Sequence, residues 1–210
     1  MGSKTIYLIR HGETDYNRRG VVQGSGIDSD LNELGLAQAR AFFEVYQHVP
    51  FDKVYTSELK RTHQTVADFI NIGIPHEIHS GLNEISWGIK EGKIPNSQED
   101  ELYKNIIASW QKGETHVPCE GGESPEDVAK RQKPFLDLIL SRSEEELILV
   151  AMHGRAMRIL LTQILNRPLH EMDEFEHSNV CLYKLNFSYK TNSFMIEAAN
   201  DITHLLMLEV

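Results

Sequence analysis

The chain has 210 residues, of which 40% are hydrophobic, and this composition supports one sizeable core and excludes a disordered or fibrous chain. Its 31 acidic and 21 basic residues give a formal net charge of −10, which argues against a nonspecific nucleic-acid binder because such binding needs a basic surface. No run approaches the roughly 18 apolar residues of a membrane span. We therefore expect one cytoplasmic domain over residues 1–210, with neither a nucleic-acid nor a membrane partner.

Strands and helices are predicted to alternate along the chain. Continuous apolar runs, typical of strands buried on both faces, occur at Thr5–Ile9 and Leu147–Met152. Apolar stripes at helical spacing predict helices at about Glu33–His48, after Ser57, after Ser124 and after His153. This alternation predicts an α/β protein.

The segment from about Ser86 to Pro118 is the least regular part of the chain. It has three glycines and two prolines around one short predicted helix near Leu102–Trp110. Irregular segments of this length inside a compact domain are usually functional. We interpret residues 86–118 as a lid-like insertion.

Polar side chains follow both of the apolar strands. Arg10, His11 and Gly12 come directly after the first strand, and His153 and Gly154 follow the later one. If the two strands are neighbours in a parallel sheet, both histidines reach the same edge of it, where α/β proteins keep their chemistry. A single histidine at a strand end is usually structural, whereas two in the same context favour a functional site.

Six short segments, in a fixed order along the chain, form one recognisable set. They are Leu8–Thr14 with Asn17, Tyr55–Thr62, Leu82–Ile85, Gly121–Ser124, His153–Gly154 and Asn200–Leu205. Together they resemble the motifs of the histidine phosphatase superfamily, the phosphoglycerate mutase-like proteins of branch 1. The resemblance runs nearly end to end.

This resemblance implies a three-layer α/β/α sandwich with a mostly parallel sheet and a small helical lid. It also implies a site for a small phosphorylated metabolite. Phosphoryl transfer spreads charge over three equatorial oxygens, so several cationic or donor groups have to surround one point. The groups implied for binding are Arg10, Asn17, Gln23, Gly24, Arg61, His153 and Gly154.

Two of the matched residues are implied to react with the substrate. His11 is the implied nucleophile, forming a phosphohistidine, and it has to be neutral to attack. Neighbouring guanidinium groups lower the pKa of an imidazole, and the backbone near Gly12 is expected to hold one ring nitrogen. Glu84 is the implied acid that protonates the leaving alkoxide and then takes a proton from water.

Local sequence allows simpler interpretations of several of these residues. Arg61 could be a surface ion-pair partner on a helix, Glu84 an exposed strand residue, and Asn17 a cap or turn residue. Arg155 and Arg158 are expected to be solvated or salt-bridged, although Arg155 could reach distal groups of a substrate.

A metal site is not expected from this sequence. His76 and His79 invite such an interpretation, but on the strand predicted there residues three apart point to opposite faces. The arginines and histidines of the matched motifs supply the charge that magnesium supplies in other phosphoryl-transfer sites. We therefore expect neither a metal nor another cofactor.

Three functions are compatible with the matched residues. Hydrolysis of small phosphomonoesters is the preferred one. Cofactor-dependent phosphoglycerate mutase activity is the first alternative, but family mutases carry paired arginines in the lid, and Ile85–Cys119 offers only Lys90, Lys93, Lys104 and Lys112. A non-catalytic protein that binds a phosphorylated partner is the second. Phosphoserine, α-ribazole phosphate, sugar phosphates and phosphoglycerates are all substrates of similar proteins, and a monomer or a homodimer is expected.

Overall fold

The computed structural model describes residues 2–94, 96–206 and 208. Its strands are β1 (Ser3–Arg10), β2 (Lys53–Thr56), β3 (His76–Ile78), β4 (Leu147–Met152), β5 (Leu182–Ser188) and β6 (Ser193–Asp201). Its α-helices are α1 (Asp15–Arg18), α2 (Glu33–Tyr46), α3 (Lys60–Thr65), α4 (Ala67–Asn71), α5 (Ser97–Gln111), α6 (Pro125–Ser141) and α7 (Gly154–Ile164). Within the described residues, no helix is both long and apolar enough to cross a membrane.

The strands form one mixed sheet in the order β3-β2-β4-β1-β5-β6. The pairs β3-β2, β2-β4 and β4-β1 are parallel, whereas β5 pairs antiparallel with both β1 and β6. The predicted mostly parallel sheet is therefore confirmed. The antiparallel hairpin β5-β6 adds two strands beside β1, so the first strand lies inside the sheet.

Helices cover both faces of this sheet. On one face α6 and α7 pack against strand residues such as Leu8 and Val150. On the other face α2 and α4 pack Phe42 and Phe69 against the opposite sides of the same strands. Because β1 and β4 are buried on both faces, their sequences contain continuous apolar runs. The predicted three-layer α/β/α sandwich is confirmed.

The segment predicted as a lid contains a short 3₁₀ turn (Gly88–Lys90) and the helix α5, which is longer than the predicted helix. Aromatic side chains within this segment pack against one another: the ring centroid of Trp87 lies 5.2 Å from that of Tyr103 and 5.5 Å from that of Trp110. Trp110 is fully buried, and its Nε1 donates to Val117 O at 2.7 Å. The segment is thus packed by an aromatic cluster of its own.

The expected arrangement of His76 and His79 is wrong in one respect. His79 lies beyond β3, which ends at Ile78, and its Nδ1 accepts a hydrogen bond from Gly81 N at 3.0 Å at the start of a 3₁₀ turn. His76 instead bonds Thr56 Oγ1 through Nε2 at 2.8 Å. A three-residue strand is too short to hold both positions, because the chain turns immediately after it. Across the described ranges, no cluster of three or more His, Cys, Asp or Glu side chains could hold a metal ion.

Candidate active site

The two motif histidines meet at the carboxyl edge of the sheet, as the sequence predicts. β1 and β4 are parallel neighbours with Arg10 in register with Met152, so the residues that follow them lie side by side. His11 N donates to Met152 O at 3.0 Å. The ring centroids of His11 and His153 are 5.2 Å apart. The register of two buried strands therefore builds the centre of the site.

His11 is held in one tautomer by the carbonyl group of the next residue. Its Nδ1 lies 2.7 Å from Gly12 O, and because a carbonyl oxygen only accepts, Nδ1 carries the proton and Nε2 the lone pair. The expectation of a backbone acceptor near Gly12 is confirmed. Burial, and then the charges of Arg61 and Arg10, hold the pKa of His11 well below its ordinary value. Burial is the larger cause, although the sequence pointed only to the arginines.

Gly12 is fixed by contacts that only a glycine permits. A Cβ at this position would lie 2.6 Å from Gly35 O. Gly12 N donates to Thr65 Oγ1 at 2.9 Å, and Thr65 Oγ1 donates to Arg61 O at 2.6 Å. The peptide that orients His11 is thereby attached to the helix that carries Arg61.

Arg61 is a fully buried side chain of α3. Its Nε donates to His153 Nδ1 at 3.1 Å, and its Nη1 and Nη2 donate to Ile27 O and Gly24 O at 2.6 and 3.2 Å. Burial lowers the pKa of Arg61 to about 10. The structure therefore excludes the alternative of a surface ion-pair partner.

His153 accepts at Nδ1, so its proton lies on Nε2, which bonds Ser57 Oγ at 2.8 Å. Burial, followed by the charge of Arg61, lowers the pKa of His153 well below its ordinary value. Both imidazoles at the site are consequently neutral near pH 7. The cationic character of the site comes from its arginines.

Glu84 is bound to the first turn of α7. Its Oε2 accepts from Arg155 N at 3.1 Å and its Oε1 from Ala156 N at 2.8 Å. Oε1 also accepts from Ile85 N at 2.9 Å. The side chain is 7% exposed, so the alternative of an exposed strand residue is wrong. Oε2 makes the single, longer bond and has the lone pair that is free to carry a proton.

Arg10 contacts a residue that the sequence did not single out. Its Nη1 lies 3.2 Å from His177 Nδ1 and donates to His177 O at 3.4 Å, and its Nε is buried with no partner among the described residues. Burial and then Arg10 lower the pKa of His177 to about 3. His177 precedes the antiparallel strand β5, and no motif in its surroundings signals this contact.

Asn17 and Gln23 lie beside the histidines. Asn17 completes the capping box of α1 with Thr14, as the capping alternative predicted, and its Oδ1 also accepts from Asn179 Nδ2 at 3.3 Å. Thr14 Oγ1 contacts the Gln23 amide at 2.9 Å. With the amide oxygen turned toward Arg61, that oxygen accepts from Arg61 Nε at 2.9 Å.

A cavity of about 280 Å³ opens onto these side chains. Of the predicted residues it is lined by Arg10, His11, Asn17, Gln23, Glu84 and Gly154. The other three predicted residues lie behind this wall: Arg61 donates hydrogen bonds to Gly24 O and His153 Nδ1, and it contacts the wall through the amide of Gln23. Trp87 and Tyr103 of the predicted lid line the cavity, as do Arg155, Arg158 and His177. Gly121 and Gly122 do not line it, and Ser124 caps α6 beside them.

The profile of the histidine phosphatase superfamily (branch 1) matches residues 6–201. The chain belongs to this family. A relative from Hydrogenobacter thermophilus, named "Putative phosphoserine phosphatase 2", is 32% identical over 206 residues, with 98% of this chain and 99% of that protein covered. A probable phosphoglycerate mutase of Proteus mirabilis is 29% identical, with 95% of this chain and 94% of that protein covered.

Solved structures of histidine phosphatases have the same fold. A mycobacterial glucosyl-3-phosphoglycerate phosphatase, in complex with VO3, superimposes with a TM-score of 0.81 at 25% sequence identity. The comparison covers 94% of this chain and 98% of that one. The shared fold therefore includes the sheet and both helical layers.

The buried neutral histidines of this histidine phosphatase predict a loss of stability in acid. For His11, His153 and His177 the folded pKa lies below the unfolded value of about 6.5, so below pH 6.5 the unfolded chain binds more protons. The free energy of unfolding should be level above pH 6.5 and fall below it by about 1.4 kcal/mol per pH unit for each histidine. Urea unfolding at pH 7.5, 6.5 and 5.5 measures this slope.

The variant His177→Gln is the matched control for this prediction. Glutamine retains an oxygen acceptor for Arg10 but does not titrate, so the slope below pH 6.5 should decrease by one histidine's share. Equal free energies of unfolding at pH 7.5 and 5.5 in the unsubstituted protein would contradict the prediction.

Proposed function

We propose that this protein is a phosphatase that hydrolyses small phosphomonoesters through a phosphohistidine on His11. One observation carries the proposal: His11 lines the cavity in a neutral form, with Nδ1–H held by Gly12 O and the Nε2 lone pair left for attack. Membership of the family supports the reaction type. Phosphatase activity is also part of the names of a relative and of a structural neighbour.

In the proposed first step, His11 Nε2 forms a bond to phosphorus while the bond from phosphorus to the alkoxide oxygen breaks. Arg10 and Asn17, which line the cavity, stabilise the charge on the equatorial oxygens. Arg61 adds its positive charge from behind the wall, where His153 holds it in place. Arg10 Nε is a buried donor without a partner in the described residues, and a phosphate oxygen would satisfy it. In the second step water attacks phosphorus and the bond to Nε2 breaks.

Glu84 is proposed to supply the proton to the leaving alkoxide. The carboxyl group lines the same cavity as His11, and its Oε2 is the oxygen with the free lone pair. After the alkoxide departs as an alcohol, the carboxylate takes a proton from the attacking water. One carboxyl group thus serves both steps and ends the cycle protonated, as it began.

We propose that the reaction needs no metal ion, because Arg10 in the cavity wall and Arg61 behind it already place two positive charges beside His11. Hydrolysis of p-nitrophenyl phosphate should therefore proceed at the same rate, within about twofold, after dialysis against EDTA. Added Mg²⁺ or Mn²⁺ should not raise it. A rate that falls on chelation and returns with one metal would contradict this proposal.

Phosphoglycerate mutase activity is the second candidate, because a relative that matches this chain over nearly its whole length is named a probable phosphoglycerate mutase. The lid argues for hydrolysis, since it has no paired arginines and none of its four lysines, all of them within the described residues, lines the cavity. An assay of 3-phosphoglycerate with and without 2,3-bisphosphoglycerate separates the two. Release of inorganic phosphate supports the phosphatase, whereas fast isomerisation to 2-phosphoglycerate would replace it with the mutase.

The partner is proposed to be a small phosphorylated metabolite rather than a macromolecule, because a cavity of about 280 Å³ has the size of a small-molecule site. A panel of phosphorylated metabolites identifies it by phosphate release. We further propose a cytoplasmic location and a monomer or homodimer, which cell fractionation and light scattering test.

A further inference from the structure

Two arginines outside the proposed phosphate site line the same cavity. Arg155 and Arg158 lie three residues apart on α7 and so share one face of that helix. Both side chains line the cavity together with Arg10 and His11. Of the two expected states of Arg155, solvated or salt-bridged, the structure shows the second: the residue is only 7% exposed and pairs with Asp173. Neither arginine has a role in the proposed phosphoryl transfer.

A single carboxylate partners both guanidinium groups. Arg155 Nη1 and Arg158 Nη1 lie 2.5 and 2.6 Å from the same oxygen, Asp173 Oδ1, and in the described part of the chain Arg158 Nε is buried without an acceptor. Burial, and then the neighbouring charge of Arg155, lower the pKa of Arg158. Two like charges beside one counter-ion leave one positive charge unmatched, which is costly in a buried site unless an anion joins it.

Arg155 also contacts the proposed acid, Glu84, through its backbone. Its backbone N–H donates to Glu84 Oε2 at 3.1 Å, so its Cα is fixed beside the proposed acid. Its guanidinium lies 5.9 and 5.6 Å from the ring centroids of Trp87 and Trp110, and these aromatic contacts restrict its orientation. The unmatched charge is thus held at a fixed place within the substrate cavity.

We propose that Arg155, supported by Arg158, binds a carboxylate on the substrate, so that the preferred substrates are small phosphomonoesters that also carry a carboxylate. A guanidinium has a rigid fork of donors that fits the two oxygens of a carboxylate. One unmatched positive charge fits a monoanion and not a second phosphate dianion. This inference rests on the proposed phosphatase function, because it assumes that the phosphoryl group lies at His11.

The test compares two competitors of p-nitrophenyl phosphate hydrolysis, 3-phosphoglycerate and glycerol 3-phosphate. They differ in one group, a carboxylate in place of a hydroxymethyl. A charge-assisted pair should make the inhibition constant of 3-phosphoglycerate about 10- to 100-fold lower than that of glycerol 3-phosphate. The ratio should fall below about threefold in Arg155→Met and keep an intermediate value in Arg155→Lys, which retains the charge but not the fork.

Arg167→Met is the matched control, because Arg167 pairs with Glu171 and Glu174 outside the cavity and its loss should leave the ratio unchanged. If Arg155 is only structural, Arg155→Met raises both inhibition constants equally and keeps the ratio, which would overturn the inference. Equal inhibition by the two compounds in the unsubstituted protein would overturn it as well. Absence of any p-nitrophenyl phosphate hydrolysis would instead contradict the phosphatase function itself.

Discussion

Replacing His11 with alanine should lower kcat for p-nitrophenyl phosphate by about 10⁴-fold or more, because the variant lacks the atom that bonds to phosphorus. The same change should abolish the covalent intermediate. Acid destroys phosphohistidine, so the reaction of the unsubstituted protein with a substrate labelled in its phosphoryl group should be stopped early by denaturation in alkali. Mass spectrometry should then locate the label on His11.

Two outcomes decide this prediction. His48→Ala is the control, since His48 is an exposed residue beyond α2, and it should retain both activity and label. Label that persists in His11→Ala would place the nucleophile elsewhere. A protein that binds phosphorylated compounds yet never acquires label would match the alternative of a non-catalytic binder.

Replacing Glu84 with glutamine should slow the hydrolysis of alkyl phosphates by about 10²- to 10³-fold, the usual contribution of a general acid. Nitrophenolate leaves without a proton, so p-nitrophenyl phosphate should be slowed by about tenfold or less, mainly through the loss of the base in the second step. The ratio of the two rates in one enzyme preparation is the measurement. Equal slowing of both substrates would remove the acid role from Glu84.

The glutamine variant also has a structural effect that must be measured separately. Both oxygens of Glu84 accept hydrogen bonds from backbone N–H groups, and a glutamine side chain turns one of these acceptors into a donor. An unpaired buried N–H costs about 1–3 kcal/mol. Thermal unfolding should show this loss, and because it affects every substrate alike, it leaves the ratio of rates as a clean readout.

The sequence was sufficient for the part of the site that depends on local patterns. Two apolar runs followed by histidines predicted β1, β4 and their adjacency, since strands buried on both faces leave a clear signal. The resemblance to the family added Arg61 and Glu84. The structure brings both to the histidines, one directly and one through the first turn of α7.

The rest depended on contacts between segments that are distant in sequence. His177 reaches Arg10 only because β5 pairs antiparallel with β1, and a polar residue in a loop has no periodicity that predicts such a contact. Asp173 likewise gives no signal of the two arginines it joins. Burial is the main cause of the lowered pKa of His11. It depends on how the whole layer packs around the ring, so the residues adjacent to His11 in sequence do not predict it.

The contact between Arg10 and His177 also bears on how the protein is synthesised. The two residues are 167 positions apart, so during translation β1 leaves the ribosome long before its neighbour β5. Topologies dominated by such distant pairings fold slowly. Nascent chains that end before β5 should therefore contain every residue of the proposed catalytic cycle and still have no finished pocket.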